Sequence, residues 1–182
     1  MTNPKRLLPA CFVLALALAA PAHASWLLGL SAGGQMGLSH TGGDVDEDSF
    51  LIGANARMEL LSIVAAEIAV DYRNESLEGG DISTVPVQLS AMFTLLPFIY
   101  LTAGVGWYDI SVDGDLKDQF GEGDLSNTGY HIGAGVGIPL PGPWSFVGDA
   151  RYIFLNYGED LENFSQNADY YQLTGGLQYK LF

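Results

Sequence analysis

The chain has 182 residues, and its 21 acidic against seven basic side chains give a net charge of −14 and an isoelectric point near 4.2. Such a balance repels phosphate backbones and excludes nucleic acid as a partner, while a single cysteine, Cys11, excludes a disulfide framework. The mean hydropathy is nevertheless +0.20, so a strongly charged chain must also place a large apolar surface.

In chain order, Lys5 and Arg6 precede an apolar run over residues 7–20, and Ala22-His23-Ala24 follows as a small-residue processing site. This is the layout of a secretory signal peptide, so residues 1–24 are expected to be removed and residues 25–182 to form one domain. Cys11 would leave with the leader; the apolar stretch lies mostly after it, which argues against a lipoprotein. Beyond residue 24 no apolar run approaches the roughly 20 residues of a membrane helix, so a membrane would be crossed by strands.

Eight segments alternate with the period of two that belongs to strands. The first sets Trp26, Leu28, Leu30, Ala32, Gly34, Met36 and Leu38 against Gly29, Ser31, Gly33, Gln35 and Gly37. The second opposes Phe50, Ile52, Ala54, Ala56, Met58 and Leu60 to Gly53, Asn55, Arg57 and Glu59. The third opposes Val64, Ala66, Ile68, Val70 and Tyr72 to Glu67, Asp71 and Arg73. Val85, Val87, Leu89, Ala91, Phe93 and Leu95 oppose Gln88, Ser90 and Thr94 in the fourth, and the fifth carries Ile99, Leu101, Ala103, Val105 and Trp107 against Gly104 and Gly106. In the sixth, Tyr130, Ile132, Ala134, Val136 and Ile138 oppose His131 and four glycines, before Pro139, Pro141 and Pro143. The seventh sets Phe146, Ala150, Tyr152 and Phe154 against Asp149 and Arg151. The eighth alternates from Tyr171 to Leu181, with Gln172, Thr174, Gly176, Gln178 and Lys180 on its second face.

Tight turns are expected near residues 62, 97 and 141, alternating with long loops near 40–49, 74–83, 109–127 and 155–169. An even strand count with this alternation predicts an all-β fold, an eight-stranded antiparallel up-and-down transmembrane β-barrel. A soluble sandwich or lipocalin-like barrel alternates too, but its water-facing set is rich in long polar side chains. Here the second set is dominated by Gly, Ser, Thr and Gln, which suit a narrow interior. Aromatic residues gather near both strand ends, with Phe50, Tyr72, Trp107, Tyr130, Phe154 and Tyr171 at one rim and Trp26, Phe93, Phe146 and Tyr179 at the other, as in the girdles of a lipid-facing band.

The ending, Gly176-Leu-Gln-Tyr179-Lys-Leu181, resembles the last strand of the small outer-membrane β-barrels of Gram-negative bacteria, with Phe182 one position beyond the usual terminal aromatic. Val85-Pro-Val-Gln-Leu, the Thr-Ala-Gly-Val-Gly at 102–106, the Gly-Ala-Gly-Val-Gly at 133–137 and Ala150-Arg-Tyr152 are similar to strands of the OmpA/OmpX-type barrel superfamily. The resemblance covers essentially the whole exported chain. It implies the outer membrane as location and outer-membrane lipid and lipopolysaccharide as surroundings. Function is left open, since members include adhesins, structural anchors and proteins of no known activity.

By parity, Arg57, Arg73, Arg151 and Lys180 point inward together with Glu59, Glu67, Asp71 and Asp149. Four cations facing four carboxylates form a neutral interior, as a narrow barrel requires, because unpaired charge away from water is costly. We expect a paired charge network that plugs the lumen. The other seventeen acids fall in the four long loops, opposed by Lys117 alone. Asp44, Asp46, Asp48, Asp113 and Asp115 are the candidates there for loose contact with divalent cations.

Most specific chemistry fails on spacing. Asp44-Val-Asp46-Glu-Asp48 begins like a calcium loop, but Ser49 and Asn55 stand where an EF-hand needs Gly and Glu. Gly133 to Gly137 lacks the dinucleotide-binding spacing and runs into prolines where a helix should start. His131 has only Gly129 and Gly133 beside it on its face, and His40, at the mouth of the first loop, has no acid or nucleophile held to it by sequence. The expected function is therefore a non-enzymatic monomeric surface barrel without cofactor, in a structural or adhesive role. A small pore and a lipid-modifying enzyme are the alternatives.

Overall fold

The computed structural model of the chain describes residues 29–41, 47–77, 80–112, 125–156 and 169–182; the leader expected at 1–24 lies outside them. They form eight strands: β1 (Gly29–Thr41), β2 (Glu47–Leu61), β3 (Val64–Leu77), β4 (Gly80–Leu96), β5 (Ile99–Val112), β6 (Leu125–Pro139), β7 (Trp144–Asn156) and β8 (Tyr170–Lys180). Each pairs antiparallel with the next, and β8 returns to pair with β1, so the sheet closes into a barrel with no free edge.

At the long-loop end the strands run further than alternation predicts. The backbone ladder includes Glu47 to Ser49, Asn74 to Leu77, Gly80 to Ser83, Asp109 to Val112 and Leu125 to Asn127, all assigned to loops from sequence. Above a lipid layer both faces of a strand are wet, so pairing continues after the apolar–polar alternation has ended.

At the other end the turns are tight. Leu61 pairs with Val64 and Leu96 with Ile99, each after a register shift in the ladder. Turn residues also bond the neighbouring strand: Thr94 N donates to Ile63 O and Gly137 N to Phe98 O, both at 2.9 Å. The ladder outlasts β8 as well, since Leu181 N donates to Leu30 O at 2.8 Å and Leu30 N to the backbone oxygen of Phe182 at 3.2 Å. Phe182 is thus tied to β1 although it falls one place late in the terminal motif.

Parity sorts the side chains. The outward set is exposed and apolar, including Met36, Ile52, Leu89, Leu101, Ile132, Leu173 and Leu177. Phe50, Tyr72, Trp107, Tyr130, Phe154 and Tyr171 ring the long-loop end of that surface; Phe93, Phe98, Trp144, Phe146, Tyr179 and Phe182 ring the turn end. Such a band is stable against hydrocarbon and not against water. The inward set, among it Gln35, Asn55, Glu67, Gln88, His131 and Arg151, is buried except at the mouths of the lumen.

Two local features matter inside. Pro86 has no N–H to give the ladder, and the β3–β4 pairing skips from Val70↔Val87 to Arg73↔Thr84 around it. Asp71 sits in that gap. Tyr100 and Tyr108 also turn inward, where a Cβ at Gly135 would lie 2.4 Å from the Tyr100 ring and one at Gly106 2.6 Å from the Tyr108 hydroxyl. Those glycines are flat floors on which the two rings lie.

Candidate functional site in the barrel lumen

Arg57 and Glu67 face each other across β2 and β3, and Arg57 Nε donates to Glu67 Oε2. Arg57 Nη2 also reaches β7, donating to Asp149 Oδ2 at 3.1 Å, and meets the Tyr100 hydroxyl at 2.9 Å. Tyr100 in turn donates to Asp149 Oδ2 at 2.8 Å. Arg151 Nη2 donates to Glu67 Oε1 at 2.6 Å and to Asp149 Oδ1 at 3.3 Å. Each guanidinium therefore bridges both carboxylates, closing a ring of four charges that are all buried. Burying one of these ions alone would cost several kcal/mol, so the ring holds only as a complete set.

Two chains of amides cross the rest of the lumen, and both end on Asp71. In the first, Ser31 Oγ donates to Gln178 Oε1 at 3.4 Å, Gln178 Nε2 to Asn55 Oδ1 at 2.9 Å, Asn55 Nδ2 to Gln35 Oε1 at 2.6 Å, and Gln35 Nε2 to Asp71 Oδ1 at 2.7 Å. The second starts from the charge ring: Arg151 Nη1 donates to Gln88 Oε1 at 2.8 Å, Gln88 Nε2 to Gln172 Oε1 at 3.2 Å, and Gln172 Nε2 to Asp71 Oδ2 at 3.3 Å. Both oxygens of Asp71 accept, as an ionised carboxylate does.

Toward the long loops the lumen becomes aromatic and apolar. Tyr108, Ile153 and Tyr170 are fully buried together, with the two tyrosine rings edge to face at 6.4 Å. The Arg73 guanidinium lies over the Tyr170 ring at 4.7 Å and donates to Ser39 Oγ at 3.4 Å.

The eight charged residues expected inward thus fall into separate groups. Arg57, Glu67, Asp149 and Arg151 come together. Asp71 takes its partners from amides, Arg73 sits against Tyr170, and Lys180 meets Glu59 at 3.9 Å at the turn-side mouth, where both are half exposed. Asp44, Asp46, Asp113 and Asp115 lie outside the described residues, and Asp48 is described only in its backbone pairing with His40. Among the described residues no group of three or more potential ligands gathers to hold a metal ion.

One juxtaposition was invisible along the strand. His131 lacks a nucleophile on β6, but Ser90 of β4 reaches it across the inward face, with Oγ 2.9 Å from Nε2. Both are buried, and the ring's Nδ1 has no hydrogen-bond partner among the described residues. The carboxylate that orients the histidine of a hydrolytic triad is missing at that nitrogen.

A family of sequences described as "Outer membrane protein beta-barrel domain" matches residues 10–180, nearly the whole chain. The chain belongs to this outer-membrane β-barrel family. It is a protein of the outer membrane, as the exposed apolar band requires. No curated protein matches it. Among solved structures, this outer-membrane barrel is similar to Neisserial surface protein A, at 16% identity over 84% of this chain and 97% of that one, with a TM-score of 0.60. OprG from Pseudomonas aeruginosa matches at 13% identity over 84% and 96%, with a TM-score of 0.55. Ail, the attachment invasion locus protein of Yersinia pestis, in complex with the heparin analogue sucrose octasulfate, matches at 18% over 84% and 97%, with a TM-score of 0.50. At such identities the likeness is one of fold.

Proposed function

We propose that this outer-membrane barrel is neither an enzyme nor a pore, and that it is a surface-interaction protein: a monomeric plugged cylinder anchored in lipid and lipopolysaccharide that presents four acidic loops to a partner outside the cell. The partition of charge carries this reading. Buried cations meet carboxylates inside, whereas the long loops and the strand ends that lead into them hold seventeen acids against Lys117 alone. Side chains bonded across the lumen argue against a pathway for solutes. The Ser90–His131 pair, buried and without an orienting acid, argues against hydrolysis.

The sign of the loop charge selects the partner class. Ail shares the barrel fold and was crystallised with a sulfated polyanion; loops as acidic as these repel such a ligand and attract cationic surfaces. Divalent cations, held loosely by Asp44, Asp46, Asp48, Asp113 and Asp115, belong to the same class. Deleting the loops on an intact barrel tests this, with cell adhesion, divalent-cation binding and lipid A composition measured together. Loss of adhesion or cation binding with lipid A unchanged is expected. An unchanged result in all three would leave a purely structural role.

A further inference from the structure

Between the charge ring and the short turns the barrel contains a cavity of about 300 Å³. Ser31, Arg57, Glu59, Tyr100, Ser145 and Gln178 supply its polar wall, and Met92 and Val147 are among its apolar lining. Short turns of outer-membrane barrels lie on the periplasmic side, so this vestibule faces the periplasm. Arg57, Tyr100 and the carboxylates behind them form its floor.

We propose that the vestibule is a binding site for a small periplasmic zwitterion of the amino-acid or dipeptide class, its carboxylate on Arg57 and its ammonium on Glu59. A guanidinium has five N–H donors. Arg57 spends Nε on Glu67 and Nη2 on Tyr100 and Asp149, which leaves the two Nη1 hydrogens for an acceptor in the cavity that it lines. At the mouth, Glu59 and Lys180 are 3.9 Å apart, beyond hydrogen-bond distance, and each side chain is 53% exposed, so Glu59 can take an ammonium. The Ser31 hydroxyl makes only a 3.4 Å contact to Gln178 and can turn to a ligand amide. Around the site Arg57, Arg151 and Lys180 balance Glu59, Glu67 and Asp149. A neutral surround of this kind favours a zwitterion over a net anion or cation.

The test titrates L-alanyl-L-alanine into the isotope-labelled barrel in nanodiscs and follows the backbone amides of Gly137, Ser145 and Gln178 by NMR. Saturable shifts are expected there. Acetate and ethylamine, each carrying one half of the zwitterion, are expected to bind at least about ten-fold more weakly. A Gly137→Ile variant blocks the site, because a Cβ at 137 meets nothing nearer than the Tyr100 ring at 3.9 Å and the side chain then enters the vestibule. Affinity should fall about ten-fold or more while heat-modifiable gel migration stays that of the folded barrel. Should that variant fail to fold, Ser145→Phe obstructs the same space from β7. Absence of saturable shifts, acetate binding as tightly as the dipeptide, or undiminished affinity in a folded blocked variant would each overturn the proposal.

Discussion

Arg151 sets the direction of the hydrogen bonds that reach Asp71. Its Nη1 donates to Gln88, Gln88 donates to Gln172, and Gln172 donates to Asp71 Oδ2. An arginine cannot accept, so none of these amides can reverse. The chain from Ser31 can, because a hydroxyl both donates and accepts. Asp71→Asn is therefore absorbed by flipping Gln35, Asn55 and Gln178, with the new amide NH2 directed at Gln35. Asp71→Leu strands the donors of Gln35 and Gln172 together. We expect the leucine variant to be less stable than the asparagine variant by about 1–3 kcal/mol. Urea unfolding of the two proteins in the same bilayer decides it, and equal stabilities would show that the amides do not form ordered chains.

Removing Arg151 leaves Glu67 and Asp149 short of a counter-charge in a buried ring, whereas removing Lys180 frees a half-exposed Glu59 to water. Arg151→Met should cost about 3–5 kcal/mol, the range for breaking a buried pair. Lys180→Met should cost no more than about 1 kcal/mol. An Arg151→Met barrel as stable as the parent would mean that the ring contributes nothing to the fold.

Planar-bilayer recordings of the purified barrel are expected to show no steady conductance, since the charge ring, the amide chains and the Tyr108–Tyr170 pair succeed one another along the lumen. A stable open level in the parent protein would restore the pore reading.

Substituting Ser90→Ala, His131→Gln and His40→Ala one at a time should leave lipid A composition unchanged in cells that assemble the barrel. Dependence of lipid A acylation on any of the three would identify an enzyme in place of a surface barrel.

Much of this architecture is legible in the chain. Parity alone turns Arg57, Glu67, Asp149 and Arg151 to one side, because a strand has only two faces. It does not tell which inward residues meet. Arg57 lies 92 residues from Asp149 and Gln172 lies 101 from Asp71, and such pairings depend on the stagger of the closed sheet. Tyr100 and Tyr108 share the parity of Gly104 and Gly106 and so fall on the inward face, but strand parity does not show that a narrow lumen has room for their rings; the glycines Gly106 and Gly135, which leave that room, are the available signal. Asp71 looked like one more member of an ion-pair network, and only the amides of β1 and β8 distinguish it.

Alternation of apolar and polar residues guards a barrel against slips of one place, because such a slip carries a whole strand's greasy face inward. It is blind to slips of two, which return every side chain to its proper face. The charge ring supplies the missing check. If β2 slid two places along β3, Arg57 would stand opposite Ala65 or Ala69 in place of Glu67, and a buried guanidinium would lose its nearest carboxylate. A misthreaded barrel would thus look sound from the lipid and be wrong only at its axis. Proofreading of stagger during closure falls to four side chains that lipid never touches.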